Sequence, residues 1–278
     1  MKNETALITG ASSGIGRALA HVFAASGSRV LLTARREGQL AELASELRDA
    51  YRVETHVLPE DLADADGPRR LVEAIEAKGF DVNVLVNNAG FGLHGRFDKL
   101  PLDRQLSMLR LNVGALTELT WRLLTPMRRV DYGRVLNVAS TAAFFAGPNM
   151  AVYYATKAYV LSLSEALREE LRDTGITITC LCPGPTDTGF ADRAGVAGLP
   201  LFRSAMPAEA VAQAGYQALY AGRAVVTPGW RNRLITLLPR VLPRRWTRRA
   251  TASIQPLPEQ PTNRPGSPGV GASKQARE

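Results

Sequence analysis

The chain has 278 residues, 45% of them hydrophobic and 22% charged, enough for one α/β domain with a full core, and no apolar run approaches the ~20 residues of a membrane-spanning helix. Its net charge of +8 is local: eight arginines and no lysine or acid lie between Ala210 and Pro258, while the other 26 basic and 26 acidic residues cancel. That placement argues against a general nucleic-acid-binding surface. Cys180 and Cys182 alternate along one predicted strand as packing residues, and His21, His56 and His94 form no pattern of metal ligands.

The N-terminus, Met1-Lys2-Asn3-Glu4, runs straight into strand-like sequence without the basic and apolar regions of a signal peptide, so a cytoplasmic location is expected. Thr5–Thr9 reads as a buried strand. Gly10-Ala-Ser-Ser-Gly14-Ile-Gly16 follows, then a helix from Arg17 to Ala25. Strand, glycine turn and helix come in the order a dinucleotide site needs, because glycines admit a pyrophosphate close to the backbone and the helix N-terminus attracts it. The second strand, Val30–Thr33, ends at Ala34-Arg35-Arg36, where an acid would select a ribose hydroxyl and two guanidiniums suit a 2′-phosphate. Helices are expected over Glu37–Ala50 and Pro68–Lys78, flanking a third strand from Val53 to Leu58 that ends at Asp61-Leu62.

Val82–Val86 is a fourth strand leading into Asn87-Asn88-Ala89-Gly90 and a glycine-rich loop from Gly92 to Asp98. Apolar strands without polar alternation, separated by helices, imply a parallel sheet covered on both faces, with ligands at the carboxyl ends of its strands. The motifs at Gly10, Arg35, Asp61 and Asn88 all fall there. A long helix from Asp103 to Met127 carries Asn112 between apolar neighbours, where its amide needs partners. The fifth strand, Arg134–Ala139, delivers Ser140. Thirteen residues after that serine, Tyr153 and Lys157 share one face of a helix over Asn149–Asp173. The sixth strand, Ile176–Leu181, runs into the stiff turn Pro183-Gly184-Pro185-Thr186-Asp187-Thr188. A mobile lid is expected over Ala191–Pro207, then a helix over Pro207–Ala221 and a short seventh strand at Ala224–Thr227.

Trp230–Arg249 places Leu234, Leu238, Val241 and Trp246 on an apolar stripe opposite arginines, with Pro239 and Pro243 interrupting any single helix. Such a segment suits an anionic membrane surface, the pocket mouth or a subunit partner. From Thr251 the composition predicts a disordered tail. The expected division is therefore a catalytic domain over 1–229, a basic amphipathic segment over 230–250 and a tail over 251–278.

These motifs together resemble the short-chain dehydrogenases/reductases, in their compact single-domain branch, over about residues 4 to 230. The match rests on Gly10-x-x-x-Gly14-x-Gly16, Asp61-Leu62, Asn87-Asn88-Ala89-Gly90, Asn112, Ser140, Tyr153-x-x-x-Lys157 and Pro183-Gly184-x-x-x-Thr188. The resemblance implies a Rossmann-like, doubly wound α/β fold with a seven-stranded, mainly parallel sheet and helices on both faces. By the same resemblance Gly10, Ser12, Ser13, Gly14, Ile15 and Gly16 border the pyrophosphate. Asp61 meets the adenine, Asn88 the adenosine ribose, and Pro183, Gly184, Thr186 and Thr188 the nicotinamide, with Leu62, Ala89 and Gly90 also at the cofactor. Arg35 and Arg36 point to NADP(H).

The implied activity is reversible hydride transfer between NADP(H) and a carbonyl or secondary alcohol on an apolar substrate. Tyr153 would exchange the proton, Ser140 would bind the substrate oxygen, and Asn112 would hold a water leading from Lys157 to solvent. Tyr153 and Lys157 would also touch the cofactor. An ammonium about 4 Å away at intermediate dielectric is worth roughly 4 kcal/mol, so Lys157 is expected to draw the phenol's pKa down. Tyr154, three residues before Lys157, is the alternative phenol; the family spacing selects Tyr153. The family commonly assembles as homodimers or homotetramers through the helices carrying Asn112 and Tyr153. The competing reading is a cofactor-binding protein without turnover that docks through its basic segment. The pocket is expected from Phe91–Phe97, Ala142–Met150 and Phe190–Phe202.

Overall fold

The computed structural model describes residues 4–257. Its first half consists of β1 (Thr5–Thr9), α1 (Gly14–Ala25), β2 (Arg29–Thr33), α2 (Glu37–Tyr51), β3 (Thr55–Val57), α3 (Gly67–Ala77) and β4 (Val84–Asn87). Next come α4 (Leu102–Leu109), α5 (Leu116–Arg129), β5 (Gly133–Val138), α6 (Ala151–Glu170) and β6 (Ile176–Leu181). The chain then forms β7 (Thr186–Asp187), α7 (Phe190–Ala194), β8 (Met206–Pro207), α8 (Ala208–Tyr220), β9 (Val225–Val226), α9 (Trp230–Val241) and α10 (Arg244–Ile254).

Seven strands form one sheet in the order β3-β2-β1-β4-β5-β6-β9, and every neighbouring pair is parallel. The chain winds outward from β1 to β3, then returns beside β1 with β4. Where the order reverses, the loops after β1 and β4 part and leave a crevice at their carboxyl ends. Both faces of the sheet are packed, which is why its strands are apolar runs: α1 and α8 bury Leu19, Phe23, Val211 and Leu219 on one side, while α3 and α5 bury Leu71, Ile75, Leu119 and Leu123 on the other. A buried polar chain locks β4 to β5. The Asn87 amide donates to Thr120 and Asn137, and Asn137 in turn donates to Ser164 of α6, each bond 2.9 Å long.

Three expectations change. The helix predicted over Asp103–Met127 is α4 and α5 joined by a π-helical turn, Arg110–Ala115, with Asn112 inside it; one extra residue per turn swings that side chain inward. The lid is built rather than featureless: Ala191, Ala194 and Val196 are buried against Met150 and Tyr153. The tail does not begin at Thr251, because α10 continues to Ile254 and Gln255 is buried; the rest of the expected tail, from residue 258, lies outside the described residues.

The C-terminal pair leaves its apolar stripe exposed. Leu242 is extended because Pro243 follows it, which ends α9 and lets α10 turn back. The faces turned inward carry Thr236, Thr247, Thr251 and Gln255, all buried. Each of those threonine hydroxyls donates to a carbonyl of its own helix. Outward face Trp230 at 69% exposure, Val241 at 77%, and Leu234, Leu237 and Trp246. Among the described residues no helix is long and apolar enough to cross a membrane.

Candidate active site

A single cleft of about 740 Å³ runs from the glycine turn to α6 along the carboxyl edge of the sheet. Gly10, Ser12, Ser13, Gly14 and Ile15 line one end with Arg35, Arg36, Asp61 and Leu62. Asn88, Ala89 and Gly90 follow, then Ser140, Tyr153, Lys157, Pro183, Gly184, Thr186 and Thr188. Two predicted residues, Gly16 and Asn112, stand behind this lining, both buried.

The glycine turn is tight for reasons its residues make plain. Gly10 and Gly14 have φ of +65° and +57°, backbone that an L side chain adopts with strain. A Cβ on Gly16 would lie 2.4 Å from both the Gly10 carbonyl oxygen and the Asn88 amide. One on Gly14 would meet Thr188 at 2.9 Å. Asn88 Nδ2 donates to the carbonyls of Thr9 (2.8 Å) and Gly10 (3.3 Å), so its side chain shapes the turn as well as facing the cleft. Ser13 gives α1 no side-chain cap, leaving the first amides of the helix for an anion. Beside them Arg36 donates to Ser12 Oγ at 3.1 Å. Glycines that leave no room for a side chain, uncapped amides and adjacent guanidiniums together fit a dinucleotide with its phosphates on this turn.

At the other end Lys157 is only 7% exposed and donates to the Val138 carbonyl at 2.8 Å. Its nitrogen lies 5.9 Å from the centre of the Tyr153 ring. Ser140 Oγ accepts from Ala142 N at 3.1 Å and donates a long bond, 3.4 Å, to the Pro183 carbonyl. Asn112 pegs the loop after β4: its Oδ1 accepts from Phe91 N (3.1 Å), and its Nδ2 donates to Phe91 O (3.0 Å) and Thr156 Oγ1 (3.1 Å). The expected lowering of the phenol is reversed. Burial holds the Tyr153 phenol well above the usual range, with Ser140 opposing it. Burial also pushes the Lys157 ammonium down to about 8. The ammonium bonds to a backbone carbonyl, so loss of water dominates both groups.

The substrate end is lined by Phe91, Ala142, Met150, Phe190, Val196, Leu199, Leu201 and Phe202. Phe97 belongs elsewhere, at 64% exposure. Gly92 makes the apolar wall possible, since a Cβ there would strike the Phe190 ring at 2.9 Å. Arg104 and Ser107 on α4 and Gln255 after α10 escape sequence reasoning, while Arg193 on α7 falls within the expected Phe190–Phe202 segment. Arg193 is held below its usual pKa by burial and by the nearby Arg36, so a third cation joins the pair after β2. Tyr154, the alternative phenol, has its hydroxyl bonded to Gln255.

Fold and cleft define a dinucleotide-dependent oxidoreductase. A family model described as short chain dehydrogenase matches residues 4–196, and the chain belongs to the short-chain dehydrogenase/reductase family of NAD(P)-dependent enzymes. Sulfoacetaldehyde reductase 2 of Chromohalobacter salexigens is 35% identical over 190 residues, 68% of this chain and 75% of that protein. A short-chain dehydrogenase from Sphingobium yanoikuyae, solved in complex with NADPH, superposes with a TM-score of 0.76 at 32% identity, covering 84% of this chain and 92% of that one. A Burkholderia phymatum short-chain dehydrogenase/reductase in complex with NAD gives 0.76 at 28% identity, covering 85% and 92%.

Proposed function

We propose that the protein is an NADP(H)-dependent oxidoreductase that interconverts an apolar carbonyl compound and its secondary alcohol. The observation that carries this reading is one continuous cleft joining the glycine turn and its arginines to Ser140, Tyr153 and Lys157. When bound, the nicotinamide supplies or takes up the hydride. Gly10, Ser12, Ser13, Gly14 and Ile15 would hold its pyrophosphate, with Gly16 supporting the turn, and Arg35 and Arg36 its 2′-phosphate. Asp61 and Leu62 would meet the adenine, Asn88, Ala89 and Gly90 the adenosine ribose, and Pro183, Gly184, Thr186 and Thr188 the nicotinamide end.

Tyr153 is the proton donor in reduction. Its raised pKa keeps the phenol protonated, the form a developing alkoxide needs. Ser140, whose bond to Pro183 is long, turns its hydroxyl to the substrate oxygen and stabilises the charge forming there. Lys157 steadies the tyrosine after it gives up its proton. A Cβ on Gly90 would lie 3.0 Å from Asn112 Oδ1 and 3.7 Å from Lys157 Nζ, so the missing side chain leaves the approach between those two groups uncrowded for a bridging water. Asn112 can serve that water only through Oδ1, because both its amide hydrogens are engaged. This complete set disfavours a cofactor-binding protein without turnover.

Two finer contacts belong to the same reading. Leu102, Leu106, Trp121 and Tyr159 are exposed on α4, α5 and α6, apolar surface that supports a homodimer or homotetramer through these helices. The outward apolar ridge of α9 and α10, with arginines and no acid, supports contact of residues 230–249 with an anionic membrane surface.

A screen of NADPH and NADH oxidation against aldehydes and ketones tests the reading. Turnover of an apolar carbonyl is expected, and Arg35→Ala with Arg36→Ala should raise the KM for NADPH at least 10-fold more than that for NADH. Equal losses would remove the NADP(H) assignment, and no turnover with any carbonyl would remove the activity.

A further inference from the structure

The apolar end of the cleft contains one polar pair that the proposed chemistry does not use. Gln255 follows α10, is only 4% exposed and lines the cleft. Its placement is firm: its carbonyl oxygen accepts from Asn149 Nδ2 at 2.8 Å, its backbone N–H donates to the Ala252 carbonyl at 3.3 Å, and its side-chain Nε2 donates to the Tyr154 hydroxyl. The remaining side-chain atom, Oε1, is buried and has no hydrogen-bond partner. A buried amide oxygen left this way is unfavourable, and of the seven such side-chain atoms among the described residues only this one belongs to a residue that lines the cleft.

Tyr154 complements it. Its oxygen receives the Gln255 proton, so its own hydroxyl hydrogen points elsewhere, and no described residue accepts it. An acceptor and a donor thus stand side by side among Met150, Val196 and Phe202, with no charged group bonded to either. A neutral hydroxyl, which gives one hydrogen bond and takes another, matches that pair. Tyr153, Tyr154 and Gln255 line the same cleft, and the two rings meet edge to face with centroids 6.1 Å apart.

We propose that Tyr154 and Gln255 form a polar subsite that binds a hydroxyl group carried by the substrate at a distance from its reacting carbonyl, so that the enzyme selects hydroxylated apolar ketones. The proposal rests on the carbonyl-reductase reading and narrows its substrate class. It also gives the C-terminal segment a part in specificity, since Gln255 reaches the cleft only because α10 folds back across it.

The test compares alkan-2-ones of increasing chain length with their ω-hydroxy counterparts, using full-length protein and NADPH. At the chain length that spans the site, kcat/KM should favour the hydroxy ketone by about 10-fold or more, because a site built to hydrogen-bond a hydroxyl penalises the analogue lacking it. In Gln255→Leu and in Tyr154→Phe that ratio should fall toward 1. A ratio near 1 at every length in the unaltered protein, or an unchanged ratio in both variants, overturns the proposal. If no member of the series is turned over, the same pairs are titrated by calorimetry into the Tyr153→Phe protein saturated with NADPH. Tighter binding of the hydroxy ketone, lost in Gln255→Leu, then upholds the subsite even though the reductase reading has failed; equal affinities reject both.

Discussion

Tyr153 and Lys157 show how burial redirects a familiar pair. Four residues apart on a helix, they were expected to act through direct attraction, with the ammonium lowering the phenol. In the folded protein both have lost water, and each shifts toward its neutral form. The Lys157 pKa of about 8 against an ordinary 10.5 means that the unfolded chain binds more protons between those values, so this group makes the fold more stable as pH rises through that window and penalises it below. Lys157→Met removes a penalty of roughly 3 kcal/mol at pH 7 and leaves the Val138 carbonyl without its donor, a loss of about 1–3 kcal/mol. Thermal unfolding at pH 7 should therefore show an unchanged or higher Tm for an inactive protein; a fall of many degrees would contradict the buried-ammonium account.

The same shift sets the pH dependence of catalysis. Tyr153 stays protonated across the neutral range, so the first ionisation to matter is loss of the Lys157 proton. The kcat/KM for carbonyl reduction should be level up to about pH 7.5 and fall once the pH exceeds about 8, whereas an inflection near 10 would contradict the lowered Lys157 pKa. Gly90→Ala, whose new methyl would sit 3.0 Å from Asn112 Oδ1, should lower kcat about 10- to 100-fold by crowding the relay, a larger effect than on the Kd for NADPH. Steady-state kinetics and a fluorescence titration read the two quantities. Choosing Tyr153 over Tyr154 was possible from spacing to Ser140 and Lys157. The bond that Gln255 gives the Tyr154 hydroxyl comes from 101 residues further along the chain and has no local signature.

Strands and most helices were legible because each carries its own signal: apolar runs buried on both faces, glycine turns with positive φ, proline stops. The π-helical turn at Arg110–Ala115 was not, since its residues suit an α-helix equally well and only the packing of Asn112 under Phe91 favours the wider turn. For α9 and α10 the sequence left a membrane surface, the pocket mouth and a partner open; threonines fill the inside by bonding their own helix carbonyls and the leucines and tryptophans face out. If that ridge meets an anionic membrane, Leu237→Gln with Val241→Gln and Trp246→Gln should leave Tm within a few degrees and reduce sedimentation with phosphatidylserine vesicles several-fold. Sedimentation equal to that of the unaltered protein would reject the contact.

The order β3-β2-β1-β4-β5-β6-β9 explains why motifs scattered from Gly10 to Thr188 converge. A parallel sheet brings all its carboxyl ends to one edge, and the reversal between β1 and β4 opens the crevice there. Sequence could assign that edge because the motifs at Gly10, Arg35, Asp61, Asn88, Ser140 and Pro183 follow strands, whereas Asn112, Tyr153 and Lys157 reach it from helices. It also placed the pocket segments Phe91–Phe97, Ala142–Met150 and Phe190–Phe202, of which Phe91, Ala142, Met150, Phe190 and Phe202 line the cleft. What it could not assign were the contributions of α4 and of the residue after α10, held by packing rather than by the sheet, so Arg104, Ser107 and Gln255 were missed. Exposed Leu102, Leu106 and Trp121 on α4 and α5 predict a dimer or larger assembly in light scattering, reduced toward a monomer by Leu106→Glu with Trp121→Glu; a monomeric unaltered protein would contradict this.

The measurement that bears most directly on the assigned chemistry is single-turnover oxidation of bound NADPH by an apolar ketone in Tyr153→Phe. Removing one oxygen atom leaves the cleft and its glycine turn intact, so NADPH should bind within about 2-fold of the unaltered protein while the chemical step slows by about 10³-fold or more. Hydride transfer at the original rate in that variant would contradict Tyr153 as the proton donor.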